Sequence, residues 1–224
     1  VSDERVLKPY DVQISLTVSR DAAWQAVTSP PMLRRWFGWD YDGLDAEIQH
    51  IFVTEATLIA PERMGWADGS YLEVTGDEDR CTVRAVREGP DPDDPDRYDA
   101  IEEGWRSFLV QLRHLLERRP DGERRTLYLT GHATGREALG LVDGDWTTDG
   151  PRTGWTIDAG GHLVVVATRA PLDHPDASRA EVTVSTYGLG DAEFAACREI
   201  WTKRWSTVAD EAAVTHAGTP APTG

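Results

Sequence analysis

The sequence predicts an α+β fold in which antiparallel strands curl around a long amphipathic helix and a shorter second half repeats the same order. Three observations carry that expectation. Val12, Ile14, Leu16 and Val18 alternate with polar neighbours, the period of two that buries one face of a strand. Between Ala100 and Arg119, the residues Ile101, Trp105, Phe108, Leu109, Leu112, Leu115 and Leu116 recur at helical spacing and form one continuous apolar face. After a break at Pro120 and Gly122, a strand, a short helical piece, further strands and a helix follow again. Self-similarity at half the chain length points to a tandem duplication.

Each element follows from local chemistry. Ser19 has the side chain of an N-cap for a short helix that turns Ala23, Trp24 and Val27 to one side, and Pro30-Pro31 interrupts it. Met32, Leu33, Trp36 and Phe37 then recur at helical spacing, with Gly38 as the stop. From Glu47 to Arg87 the pattern reads as three or four antiparallel strands, separated by turns at Asp68-Gly69 and around Gly76 to Asp79. Glu88 to Asp96, EGPDPDDPD, is too rich in Pro and Asp to continue a strand and is expected to be a solvated loop. Asp99, with Glu102 three residues on, gives the capping-box signature of the long helix.

In the second half, strands are expected near Arg125 to Thr130, Thr153 to Asp158, His162 to Arg169 and Ala180 to Tyr187. A final helix from Asp191 to Ala209 places Phe194, Cys197, Ile200, Trp201, Trp205 and Val208 mostly on one face. The expected units are therefore 8–119, a shorter repeat over 124–210, and a disordered, small and polar tail over 211–224.

Composition narrows the function classes. Hydrophobic residues at 40% and charged residues at 28% are those of a folded globular chain. Asp+Glu 39 against Lys+Arg 23 gives a net charge of -16, which repels a phosphate backbone and disfavours nucleic acid as a partner. No apolar run approaches the roughly 18 residues of a membrane span, and Val1 to Tyr10 is charged rather than signal-like, so a cytoplasmic location is expected. Cys81 and Cys197 lie far apart and read as reduced core thiols. There is no phosphate-cradling glycine loop, no G-x-S-x-G and no G-x-G-x-x-G, and no cofactor is expected. The six histidines form no i, i+4 pair and have no cysteine at zinc-like spacing, and the acidic run Asp91 to Asp96 lacks the spacing of a calcium loop, so no metal is expected either.

The segment ISLTVSRDAAWQAVTSPPMLRRWFG, a strand, a helix with a tryptophan and a short helix ending in Trp-Phe, resembles the entry of START-like (SRPBCC, helix-grip) proteins. GWRSFLVQLRHLLER, through Gly104, Trp105 and Leu112, resembles the closing helix of the branch named after the activator of heat-shock protein 90 ATPase. The resemblance covers Val12 to Arg118. It implies a sheet gripping the long helix, with a cavity that in many relatives holds lipids, polyketides or other apolar molecules. Relatives include cyclases, carriers, co-chaperone domains and, in actinomycetes, proteins that protect producers from their own antibiotics. The second half departs from a full unit, because Gly140, Gly144 and Gly150 interrupt its helical piece.

Trp36, Trp39, Phe52, Trp66, Trp105 and Phe108 are the candidate ligand-binding residues, since burying an apolar ligand needs large flat walls. The competing reading is that they fill the core to native density. His50, Glu55 and Glu73 are the candidate polar contacts, with Arg106 beside them; an inward, desolvated carboxylate would suit acid-base work, whereas charges alternating along a strand usually face water. The expected function is binding or sequestration of a hydrophobic, polyketide-like or aromatic small molecule without catalysis. The alternatives are a cyclase or dehydratase using the same cavity, and a module that docks a chaperone or other protein partner.

Overall fold

The computed structural model of the chain describes residues 7–90, 94 and 96–221; of the acidic loop, 91–93 and 95 lie outside the described residues, as do 1–6 and 222–224. β1 (Tyr10–Leu16) buries Tyr10, Val12, Ile14 and Leu16 and exposes the residues between. It pairs antiparallel with β5 (Cys81–Arg87) at one edge of a five-stranded sheet. β4 (Ser70–Gly76), β3 (Arg63–Gly65) and β2 (Thr57–Ala60) complete that sheet in the order β1-β5-β4-β3-β2. α1 (Arg20–Thr28) starts at Ser19, whose hydroxyl accepts the Ala22 N–H at 3.2 Å. α2 (Pro30–Leu33) is shorter than the apolar spacing predicts, and the chain reaches Phe37 through turns closed on the Leu33 carbonyl.

The first correction falls on the start of the predicted strand region. Leu44–Gln49 is α3, and His50–Thr54 continues it as a π-helical turn. Leu44, Ile48 and Phe52 lie four residues apart and all are buried, a helical spacing. The run Ile51-Phe52-Val53-Thr54 masks it with strand-favouring residue types.

α4 (Ala100–Arg113), extended by a π-helical turn over His114–Arg118, begins as the sequence predicts, with Asp99 accepting the N–H groups of Ile101 at 2.9 Å and Glu102 at 3.0 Å. Glu102 does not close the expected capping box. Its carboxylate instead takes Lys8 Nζ and Arg106 Nη2, each at 2.8 Å. Beyond the helix, Gly122 has φ +84°, and a Cβ there would stand 2.4 Å from the Gly188 Cα. Glycine alone permits that approach of the linker to the end of the second sheet.

The second sheet has six strands, β6 (Arg124–Ala133), β7 (Thr147–Asp149), β8 (Thr153–Ile157), β9 (Leu163–Thr168), β10 (Ser178–Tyr187) and β11 (Asp210–Thr215), in the order β11-β6-β10-β9-β8-β7. α5 (Gly135–Leu139) and α6 (Asp191–Ser206) belong to this half. β11 is the second correction, since it lies where the sequence predicts a disordered tail. The edge of β6 offers open N–H and C=O groups, and Ala213-Val214-Thr215 pairs with them. The chain end is also tied to the first half, where Asp42 N–H donates to Thr219 O at 2.8 Å and Gly218 N–H to Asp42 Oδ1 at 3.0 Å.

α4 is the middle layer. Trp105, Leu109, Leu112, Leu115 and Leu116 enter the first core, with β1 and α1 to α3. Its other side meets the second sheet, where Val110 packs on Leu163 and Val165 of β9. The far face of that sheet buries Val164, Val166, Val182 and Val184 against Phe194, Trp201 and Trp205 of α6. Fully burying each such side chain contributes about 1.5–3 kcal/mol.

Where the halves join, Arg124 is buried and donates to the carbonyls of Phe37 at 2.9 Å and Gly38 at 2.7 Å, and to Gln111 of α4. Asp40, also buried, accepts the Thr126 N–H at 2.6 Å and an Arg34 N–H. His114 lies beside this joint, its ring 5.8 Å from that of Tyr187. Burial first, and then the Arg118 and Arg124 cations, push its pKa down from 6.5 to about 4. The unfolded chain therefore takes up a proton near the ordinary value, and the folded one resists it until about 4. Stability is expected to fall as pH drops through that window, by at most about 3 kcal/mol. Urea midpoints measured from pH 7 to pH 4 should show the slope, and His114→Gln should flatten it; an unchanged slope would assign the effect elsewhere.

Candidate functional site

A cavity of about 810 Å³ lies around the N-terminal half of α4, between the first half and the second sheet. That volume is in the range of small-molecule sites. α4 contributes Trp105 and Phe108, with the small Gly104 and Ser107 beside them. The loop after α2 contributes Phe37 and Trp39, and the Arg124 guanidinium fixes it by binding the intervening carbonyls. Trp66, from the turn between β3 and β4, is oriented by its indole N–H, which donates to Ile51 O at 2.8 Å. The second sheet closes the far side with Tyr128, Val165, Ala167 and Thr183.

The rings form one connected wall. Phe37 and Phe108 stand 4.8 Å apart, Trp66 and Trp105 6.2 Å, and Trp105 and Phe108 6.2 Å. Trp39 stacks on Tyr128 with centroids 3.7 Å apart and planes within 3°. This stack crosses from the first half to the second sheet, so the two halves share the cavity.

Polar groups punctuate that wall. Glu103 is buried and accepts the Thr153 hydroxyl at 3.2 Å, with Arg106 Nε at 3.8 Å and Arg152 Nη1 at 4.0 Å. Burial raises its pKa even though Arg106 pulls the other way. The phenol of Tyr128 is also pushed up, by burial and then by the nearby Glu181 carboxylate. Tyr10 and Tyr98 are raised mainly by burial. Asp68 is held below the usual carboxylate range: burial opposes ionisation, but the Ser70 hydroxyl and N–H, at 2.5 and 3.0 Å, outweigh it. Among the described residues, no group of three or more His, Cys, Asp or Glu is placed to hold a metal ion.

Of the sequence-predicted residues, Trp39, Trp66, Trp105, Phe108 and Glu55 line the cavity. Trp36 lies outside it, fully buried in the first core with its indole N–H on Ala26 O at 2.9 Å. Phe52 sits behind the wall, edge-on to Phe37 at 4.8 Å and to Trp66 at 6.1 Å. His50 projects outward from the π-helical turn, 3.7 Å from Glu55. Glu73 belongs to the opposite face of β4 from Leu72 and Val74 and pairs with Arg63 and Arg84. Arg106 is engaged by Glu102 and Asp149.

Sequence reasoning misses the second-sheet wall, Tyr128, Thr183, Glu181 and Arg169, because it treats the second half as a separate unit. The available signal is the unbroken run Leu163 to Val166 and the triplet Leu127-Tyr128-Leu129. Strands covered on both faces read as continuous apolar runs rather than alternation.

No family model and no curated protein matches the chain. Two solved structures align over most of its length. One is DynU16, a protein in the dynemicin biosynthetic locus, at 15% identity over 89% of this chain and 96% of that one, with a TM-score of 0.32. The other is BexL, a di-domain ARO/CYC from the BE-7585A biosynthetic pathway, at 14% identity over 90% and 94%, with a TM-score of 0.31. Neither is described as an activator of heat-shock protein 90 ATPase. Likeness at this level carries no functional argument.

Gly104 has a local consequence that can be measured. A glycine inside a helix costs roughly 0.5–1 kcal/mol relative to alanine. A Cβ at this position would meet only the Phe108 ring, at 3.7 Å, an ordinary contact. Gly104→Ala should therefore stabilise the protein by up to about 1 kcal/mol in chemical denaturation; destabilisation would mean that this position does not tolerate a Cβ.

Proposed function

We propose that the protein binds and sequesters a planar, largely apolar small molecule, aromatic or polyketide-like, in the cavity shared by its halves. One observation carries the reading: about 810 Å³ of space is walled by connected aromatic rings. Hydrophobic collapse normally eliminates such space, because unfilled volume forfeits packing contacts. The glycine at 104 keeps the helix face beside it open at a cost to helix stability. In this reading the first sheet with α1 to α4 is a helix-grip unit. The second sheet with α5 and α6 is a shorter copy that lends its outer face as a wall. The matching order of elements in the two halves supports it.

A catalytic reading, cyclisation or dehydration in the same cavity, is favoured by one feature. Glu103 lines the space, is buried, and has a carboxyl whose proton affinity burial raises toward the range useful for proton transfer. A protein-docking role has no comparable observation behind it.

Titration of the purified chain with polycyclic aromatic compounds should quench its tryptophan fluorescence saturably. Native mass spectrometry should show one ligand per chain. Gly104→Leu, which keeps a good helix former while filling the space, should weaken binding at least ten-fold, as expected when apolar burial of about 1.4 kcal/mol or more is lost. No quenching and no bound species with any such compound would remove the proposal. Turnover that Glu103→Gln lowers about 10²-fold while binding persists would replace sequestration with catalysis.

A further inference from the structure

Shape and apolarity do not exhaust what the cavity can select. Five carboxylates line it, Glu47, Glu55, Asp68, Glu103 and Glu181, against two guanidinium groups, Arg169 and Arg179. Arg179 is already held by Glu181 at 3.3 Å. Arg169 lies over the Tyr98 ring, 5.7 Å from its centroid. Among the lining side chains, carboxylates outnumber guanidinium groups even with Glu103 protonated, although Arg87, over the Tyr10 ring, also acts on Asp68.

Three of those carboxylates stand on the first-half side with no Lys or Arg at ion-pair distance among the described residues. Glu47 accepts the Tyr41 hydroxyl at 2.8 Å, Glu55 faces His50 at 3.7 Å, and Asp68 is bonded by Ser70. Glu55 and Asp68 are exposed and Glu47 is half-buried, which places the charge at the rim, where an incoming molecule still has solvent to shed. The aromatic wall adds to the same preference, because ring faces carry negative electrostatic potential. Two lining rings already accept a cation in this way: Arg87 lies 4.6 Å from the centroid of Tyr10, and Arg169 lies over Tyr98. Trp66 and Trp105 carry no guanidinium among the described residues.

We infer that the cavity prefers a cationic ligand, a flat apolar body bearing a protonated amine, with the amine at the Glu47, Glu55 and Asp68 rim and the rings against Trp66 and Trp105. An anionic ligand of the same shape meets like charge at that rim and is disfavoured. This rests on the cavity being a ligand site, so the test separates the two claims.

Isothermal calorimetry on the full chain with three tricyclic molecules of one shape makes the comparison: 9-aminoacridine, a cation at neutral pH, 9-anthracenemethanol, neutral, and anthracene-9-carboxylate, an anion. The cation should bind roughly ten-fold tighter than the neutral alcohol, and the anion weakest. Because the whole chain is strongly acidic, the control removes equal charge from exposed positions outside the cavity lining. Glu47→Gln with Glu55→Gln should reduce the cation-to-neutral affinity ratio roughly ten-fold, whereas Asp173→Asn with Glu199→Gln should leave it in place. If the neutral alcohol binds as tightly as the cation, or the remote pair erases the preference equally, the charge inference falls and the ligand-binding reading stands. If none of the three binds, both fall.

Discussion

Everything in this molecule depends on α4 being covered on both sides. A helix with one apolar face normally turns the other to water, but here the second sheet lies across it, and each polar side chain on that side must find a partner or carry an uncompensated burial cost. Most of the partners are present, although Arg106 Nε and Arg124 Nε are buried without a hydrogen bond. Glu102 takes Lys8, Arg106 takes Glu102 and Asp149, Glu103 takes Thr153, and Gln111 takes Arg124 and shares a hydrogen bond with Ser185. Such buried pairs add little net stability compared with apolar residues of the same size, but breaking one costs several kcal/mol. Their physical effect is therefore to fix register between helix and sheet.

That register produces the cavity. Toward its C-terminal end α4 carries Leu109, Val110 and Leu112, and the two sheets close on it with no large space left. Toward its N-terminus it carries Gly104 and Ser107, which are too small to fill the space beside Trp105 and Phe108. The carbonyls of Phe37 and Gly38, anchored on Arg124, hold the Trp39 ring parallel to Tyr128. A wall built from stacked rings resists collapse better than one built from flexible aliphatic chains, because moving one ring forfeits its contact with the next.

The sequence makes the first half largely legible, and the reasons are local. β1 alternates cleanly, Ser19 and Asp99 cap the helices they precede, and α4 has an uninterrupted apolar face. What the sequence hides depends on contacts between the halves. Leu44, Ile48 and Phe52 are helical by spacing but carry strand-favouring neighbours, and only packing on the first core decides between the two. β11 is too short and too small in its side chains to announce itself, and it exists because β6 presents an unpaired edge. At the site, four of the six predicted aromatic residues reach the cavity, whereas Trp36 and Phe52 have the same composition signal and point into the core. Burial alone cannot separate a wall from a filler; the direction of each side chain does, and that is set by the second sheet.

The lining also constrains how selective the cavity can be. As a binding site, its aromatic part would distinguish ligands by size and planarity, and a single extra methylene in an apolar pocket changes binding by only about 1–3 kcal/mol. Discrimination beyond that needs groups left unsatisfied by the wrong ligand. Glu103 supplies little of it, since Thr153, Arg106 and Arg152 already engage its carboxylate. The rim carboxylates are different, because Glu47 keeps lone pairs beyond the Tyr41 hydroxyl it accepts, and Asp68 keeps Oδ2 beyond the Ser70 hydroxyl and N–H on its Oδ1. In the proposed role, an aromatic wall that tolerates many flat molecules, with the carboxylates that no Lys or Arg engages at its mouth, fits capture of a class of compounds. A single reaction on one substrate would need free polar groups around the reacting atoms inside, whereas Glu103 and Glu181 are already engaged by Thr153 and Arg179.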